Sequence, residues 1–461
     1  METRSLKFAA EACAAKLERG SGEISIRRVG TDSRQAQAGD LFFAIKGERF
    51  DGHDFVNEVA AKGVAAVVVE RTKIPKPLPE CGVLVVEDAR AALGRLAAAY
   101  RRAFDLPMIA VGGSNGKTTV KELMAAVLRQ KMATLWSEAS FNNDIGVPLT
   151  LLRLEKSHQA AVLEAGTNHP GELAPLVKMI QPEYGVITNI GREHLEFFGE
   201  VAGVALEEGW LAELLPADGR LFVNGDNEWT ETIVRRTQAA VVRVGLGEKN
   251  DWRVKGIRLD KSGATFRVEA PKAEFSGEYR VNLLGRHQVV NALFAVAVSE
   301  ELGLGRPAVR DGLAECKPAK MRMQFWEAGG VRVLDDAYNA NADSMVAALE
   351  TLSALPLQGR RVAVLGDMAE LGAQSEAAHA EVGRRAAELG IGQLFAIGTM
   401  APVVAAAARA AGLSRVIEFA DVEAAKHAVK NFLKSGDVVL LKASRTSRLE
   451  RIAETLKSEQ S

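Results

Sequence analysis

The chain has 461 residues, with 58 Lys and Arg against 59 Asp and Glu, a formal net charge of -1. At about 150 residues per domain, this length predicts three domains, each with its own core. The even charge balance excludes a protein built to hold nucleic acid or a membrane surface, and three scattered cysteines, Cys13, Cys81 and Cys316, exclude a disulfide framework or clustered zinc site.

The opening stretch METRSLKFAAEACAAKLERG carries scattered charges. It predicts a surface helix, neither a signal peptide nor a membrane span, and hence a cytoplasmic chain. Strand-like runs follow in GDLFFAIKG, GVAAVVVE and GVLVVED, then a helix through ARAALGRLAAAYRRAF that Asp105, Leu106 and Pro107 end. A second segment opens with MIAVGG, continues through AAVLEAG, YGVITNI and RLFVNGD, and ends near ECKPAK, where Pro318 and the lysines mark an exposed connection. The third segment repeats the pattern in VRVLDDA, RVAVLGD, QLFAIG, RVIEFA and DVVLLKAS. Short Val- and Ile-rich runs alternating with helical stretches predict an α/β fold with mostly buried parallel strands. Three tandem α/β domains are expected, at 1–104, 105–318 and 319–461.

The stretch GSNGKTT follows the strand LPMIAV and opens the amphipathic helix KTTVKELMAAVLRQ. That is the context of a phosphate-binding loop, although the usual G-x-x-x-x-G-K-[ST] spacing would require glycine at Val111. Backbone N–H groups from Gly113, Ser114, Asn115 and Gly116, with about half a positive charge at the helix N-terminus, are expected to face phosphates. Lys117 adds a full charge, Thr118 offers a hydroxyl to magnesium, and Thr119 bonds phosphate or caps the helix. A plain tight turn before a helix is the alternative. Glu164 closes a strand at the end where open α/β sheets bind ligands, so it is a candidate magnesium ligand; a helix cap or lysine partner is its simpler role. His194 follows the next strand and offers an imidazole to a metal, or a surface hydrogen bond. Asn142 and Asn143, before Gly146 and Pro148, read as turn formers.

The motifs GSNGKTT, SFNNDIGVPLTLL, LEAGTNHPGEL, TNIGREHLEFFG, GRHQVVNAL, DDAYNANADSM and LGDMAELG, in that order, resemble the Mur ligase family over nearly the whole chain. The short G-x-x-G-K-T-T loop is similar to that family's own version of the phosphate loop. The resemblance implies a central P-loop ATPase-like domain, a Rossmann-like last domain and an ATP-dependent, ADP-forming ligase using Mg2+. It implies joining of D-alanyl-D-alanine to UDP-N-acetylmuramoyl-tripeptide in peptidoglycan synthesis, with a monomer the expected state. Ser33, Arg34, His53 and Phe55 match segments that hold the UDP-sugar. Lys117, Thr118, Glu164 and His194 match phosphate and magnesium positions. Asn142, Asn143, Thr167 and Asn168 match motifs lining the same site, and Asn291 matches a position at the adenine. In the last domain Asp336 matches a ribose contact, Arg322 reaches the nucleotide phosphates, and Asn339 and Asn341 lie in the segment that closes over the dipeptide. Without the resemblance, the DSR and DGH stretches read as turn and loop, and Asn291 as a polar residue early in a helix.

One position departs from the family pattern. Most Mur ligases carry a lysine that forms a carbamate and helps to bind a second magnesium; here Glu208 stands at that position, beside Glu207, and no lysine occurs between Lys178 and Lys249. Glu208 is expected to act as a permanent carboxylate in its place, because magnesium prefers hard anionic oxygens. The plain alternative is a pair of exposed helix charges. Two other classes remain open at this point: an ATP-driven switch, which has no need of the first segment, and a weakly catalytic relative that only binds the UDP-precursor. Folylpolyglutamate synthetases share the last two domains but not the first.

Overall fold

The computed structural model describes residues 1–356 and 358–458. Three large sheets follow one another along the chain. The first has five strands, ordered Lys16–Arg19, Gly82–Val86, Ala66–Glu70, Asp40–Phe43 and Arg28–Gly30, parallel except at Lys16–Arg19. Every strand-like run in that segment forms a strand, because each is a buried Val, Leu or Phe stretch that both faces of the sheet can cover. The opening stretch is less exposed than expected: its helix Leu6–Cys13 buries Leu6, Ala9 and Cys13.

The central sheet has nine strands. Met108–Gly112 lies inside it, between Ala160–Glu164 and Tyr184–Ile187. The chain first builds toward one edge, through Thr134–Trp136, and then crosses to the other side of Met108–Gly112. Such a reversal leaves a crevice at the carboxyl ends of parallel strands, where ligands bind. In register, Glu164 lies beside Val111, and Ile187 beside Gly112, so the segments that follow all three strands emerge together.

The other edge differs from the mostly parallel expectation. Trp252–Asp260, Gly263–Glu269 and Gly277–Val281 form an antiparallel meander. Their apolar residues alternate with charged ones, as in FRVE, because one face packs on the helix His287–Glu301 and the other meets water. A search for continuous apolar runs passes over them. The third sheet has six strands, parallel except for the pair Gln324–Ala328 and Val331–Asp335.

Each sheet has an apolar cluster of its own, with Phe42 and Val67 in the first, Phe222 and Phe266 in the second and Val364 and Phe395 in the third, and a further cluster joins the three. It runs from Leu6 and Leu84 through Leu163 and Leu211 to Leu334 and Leu440, across all three sheets. The helix Ala89–Arg101 fastens the first sheet to the second. Its fully buried Tyr100 hydroxyl accepts from Glu2 N–H and donates to the Leu154 carbonyl, both at 2.7 Å. Arg101 donates to the carbonyls of Ile180 at 3.0 Å and Phe104 at 2.7 Å. Tyr100→Phe leaves a buried carbonyl and an N–H unpaired, so it should lower stability by about 1–3 kcal/mol, read as an earlier urea midpoint with the slope unchanged.

Candidate functional site

The loop Gly113–Gly116 is shaped by two glycines with positive φ, 104° at Gly113 and 88° at Gly116. A Cβ on Gly116 would lie 2.8 Å from Asn291 Oδ1, so the left-handed backbone and the close approach both require glycine. The loop is braced by the segment after Tyr184–Ile187. Ser114 N–H donates to the Asn189 carbonyl (2.8 Å), Asn115 N–H to Asn189 Oδ1 (2.9 Å), and Thr188 Oγ1 to the Asn115 carbonyl (2.6 Å). No side chain caps the helix Lys117–Leu128, which leaves its N-terminal N–H groups for an anion.

Lys117 lies in the loop's mouth, bonded to the Gly113 carbonyl and 3.4 Å from Glu193 Oε2. Burial alone would lower its pKa, but the carboxylates of Glu193, Glu208 and Glu164 outweigh this and hold it above the ordinary lysine range. It therefore stays charged. Three carboxylates around one ammonium still leave excess negative charge.

Three buried oxygens here have no hydrogen-bond partner: Thr118 Oγ1, Glu164 Oε2 and Glu193 Oε1. Buried unpaired oxygens are costly, and hard oxygens beside excess negative charge suit a divalent cation. His194 Nδ1 bonds the Glu370 carboxylate, which only accepts, so Nε2 keeps the lone pair a metal would use. Both residues adopt left-handed backbone, φ 48° and 60°, a strained geometry for non-glycine residues and one common at functional sites. Among the described residues no three His, Cys, Asp or Glu side chains form a ready-made cage. That is compatible with magnesium, which keeps waters and shares substrate phosphates.

These groups open into a cavity of about 1160 Å3. All three segments contribute to its wall: Glu48 and Arg90 come from the first, the phosphate loop and Asn291 from the second, and Arg322 and Lys442 from the third. Asn142, Asn143, Thr167, Asn168, Asn339 and Asn341 also line it, as do Thr119 and Asp336. Asn142 donates to Glu164 Oε1 at 2.8 Å and so orients that carboxylate. The Asn143 side chain instead accepts from Ile145 and Gly146 N–H, the turn-forming role. Asp336 is held by Lys442 at 2.6 Å, Arg322 stacks over Tyr338 at 4.2 Å, and Asn341 caps the helix Ala342–Ala354 while donating to Asn115 Oδ1 at 3.0 Å.

Ser33, Arg34, His53 and Phe55 lie outside this cavity. His53 has both ring nitrogens in use, Nδ1 with Asp51 (2.6 Å) and Nε2 accepting from Glu70 N–H (3.1 Å), so it holds its own loop together. Arg34 pairs with Asp32 on an exposed turn. Glu208 does not line the cavity either. It is fully buried behind the loop, outside the cavity lining, with Oε2 accepting from Gly113 N–H at 2.6 Å and Oε1 unpaired. Burial pushes its pKa up to about 7, against the pull of Lys117. Its Oε2 therefore supports the loop from beneath, while Oε1, like Glu164 Oε2 and Glu193 Oε1, is a buried oxygen without a hydrogen-bond partner. Glu207 is buried too, bonding Gly171 and Leu173 N–H at the start of the helix Leu173–Ile180, so neither is an exposed helix charge.

Sequence reasoning missed Glu193, Glu370, Asn189 and Lys442. Glu193 and Glu370 sit inside motifs noted above, but only the fold shows that one faces Lys117 and the other His194.

Residues 111–299 match the pattern described as Mur ligase middle domain, 321–445 the Mur ligase glutamate ligase domain, and 25–101 the Mur ligase family catalytic domain. The chain belongs to the Mur ligase family. It is 38% identical over 442 residues to the UDP-N-acetylmuramoyl-tripeptide–D-alanyl-D-alanine ligase of Escherichia coli, with 94% of each chain covered. Among solved structures it is similar to MurF from Acinetobacter baumannii, with a TM-score of 0.90, 34% identity and 99% of each chain covered. It is also similar to the Thermotoga maritima MurF ligase in complex with ADP, with a TM-score of 0.81, 28% identity, and 94% of this chain and 97% of that one covered. Gly116→Ala forces a side chain into left-handed backbone against Asn291, a strain of about 1–2 kcal/mol, so calorimetry should show ADP binding weakened about tenfold or more.

Proposed function

We propose that this chain is an ATP-dependent ligase that joins D-alanyl-D-alanine to UDP-N-acetylmuramoyl-tripeptide in peptidoglycan precursor synthesis. The observation that carries this reading is one large cavity lined from all three segments of the chain, with a charged lysine and unpaired oxygens at its centre. A cavity that only bound and hydrolysed a nucleotide would not need the first segment in its wall. The names of the relatives support the choice of substrates. We assign the UDP-sugar to residues 1–104, ATP to 105–318, and the dipeptide with part of the nucleotide to 319–461. The enzyme acts in the cytoplasm, where ATP is supplied; among the described residues no helix is long and apolar enough to cross a membrane.

The tripeptide's terminal carboxylate is a poor acyl donor. One of its oxygens attacks the γ-phosphorus, ADP leaves, and an acyl phosphate results. The dipeptide's amine then attacks the carbonyl carbon, phosphate departs with the C–O bond pair, and the amine loses a proton to solvent. Lys117 and the loop N–H groups hold the phosphates and offset the charge that develops. Magnesium, held by Thr118, Glu164 and Glu193 with His194, would neutralise phosphate charge when bound. Asn142 keeps Glu164 in orientation, and Glu370 does the same for His194. An α-amino group titrates at about 7.7–8, so near pH 8 roughly half is free amine and positioning matters more than a strong base.

Phosphate release from ATP should therefore require both UDP-N-acetylmuramoyl-tripeptide and D-alanyl-D-alanine. Release that is equally fast without the dipeptide would replace the ligase reading with a nucleotide switch. Glu193→Gln, which removes charge from the cavity, should lower turnover about hundredfold and raise the magnesium concentration needed for half-maximal rate. Glu208→Gln keeps an acceptor for Gly113 N–H and should cost only a few-fold. The reverse ranking would put the metal beside Glu208 instead.

A further inference from the structure

Within the segment Thr188–His194, Arg192 faces away from the phosphate loop. Thr188, Asn189 and Gly191 bond the loop, and Glu193 faces Lys117. Arg192 turns to the third sheet's helices. Its backbone N–H donates to Asp343 Oδ2 and its Nε to Asp343 Oδ1, both at 2.8 Å, while Nη1 and Nη2 reach the two oxygens of Glu381 at 2.5 and 3.2 Å. A forked guanidinium between two carboxylates sets direction as well as distance. Arg192 is not part of the cavity lining.

Asp343 lies in the first turn of Ala342–Ala354, two residues beyond Asn341. Asn341 donates to Asn115 in the phosphate loop, Asn115 N–H donates to Asn189, and Arg192 follows Asn189 on the same segment. The contacts close a ring: phosphate loop, bracing segment, Arg192, helix start, and back to the phosphate loop. Gly191 makes the approach possible, since a Cβ there would lie 2.5 Å from Asp343 Oδ2. The Arg192, Asp343 and Glu381 side chains retain 29%, 37% and 32% of their exposure, so water screens each pair and the joint can open during turnover.

We propose that Arg192 is a positioning residue: by clasping Asp343 and Glu381 it sets the phosphate loop against the third domain and so aligns the dipeptide's amine with the acyl phosphate. The alignment part rests on the ligase reading above; the clasp itself does not. Other ties cross the same joint, including Glu196 N–H to the Glu370 carbonyl at 2.9 Å, so losing the clasp loosens the joint without dissolving it.

The test is Arg192→Gln in the full chain. Turnover should fall about tenfold to hundredfold, with KM for the UDP-substrate within about twofold and the thermal midpoint nearly unchanged. Small-angle scattering with ADP and magnesium should give a larger radius of gyration than wild type. Arg192→Lys, which keeps charge but loses the fork, should recover part of both, and Gly191→Ala should act in the same direction as Arg192→Gln. Wild-type turnover and wild-type compactness in Arg192→Gln would overturn the proposal. So would a fall in turnover accompanied by lost UDP-substrate affinity and a lowered thermal midpoint, which would mark a merely structural residue. If the wild-type enzyme itself releases no phosphate with all three substrates, the ligase reading fails, while scattering still decides the clasp.

Discussion

The site depends on keeping one ammonium charged where water is scarce. Burying Lys117 costs free energy that only nearby negative charge can offset, and Glu193, Glu208 and Glu164 supply it from three separate elements. Those carboxylates could not share so small a space without the lysine. The loop, the strand end Ala160–Glu164 and the bracing segment are thus held to one another by charge as well as by backbone hydrogen bonds. Because the negative groups outnumber the positive one, the arrangement suits a cation arriving with a polyphosphate.

The central sheet brings these elements together. Three adjacent parallel strands end at one level, and the chain's crossover around Met108–Gly112 opens the crevice above them. Glycine at 113 and 116 lets the loop turn back over the strand and lets its N–H groups converge. Beneath it, Glu208 fills the remaining space and takes the Gly113 N–H, so the loop is supported from below as well as from the side.

The two joints between sheets are built differently. Between the first and second, Tyr100 and Arg101 make buried bonds to backbone carbonyls within a continuous apolar cluster. Between the second and third the same apolar cluster continues, but the ties beside it, Arg192–Asp343, Arg192–Glu381 and Asn115–Asn341, are polar and partly exposed. Buried hydrogen bonds to backbone carbonyls resist opening, whereas half-exposed ion pairs exchange readily with water.

The apolar runs determined the α/β class and the inner parallel strands of all three sheets, because a strand covered on both faces needs an unbroken apolar stretch wherever it sits in the fold. Short-range geometry likewise made the phosphate loop legible: two glycines, a lysine and a helix start are neighbours in the chain. The antiparallel meander escaped notice because a half-exposed strand alternates with charge. Tertiary structure alone decided which carboxylates surround Lys117, that Glu370 holds His194, that His53 serves its own loop, and that Glu208 lies behind the phosphate loop. Each of those pairings joins residues separated by a strand crossover or by two sheets, except His53, whose fate depended on a strand 17 residues away. A carboxylate in a sequence carries no sign of which way its helix faces, and burial, which decides its charge and its role, exists only once the sheets have packed.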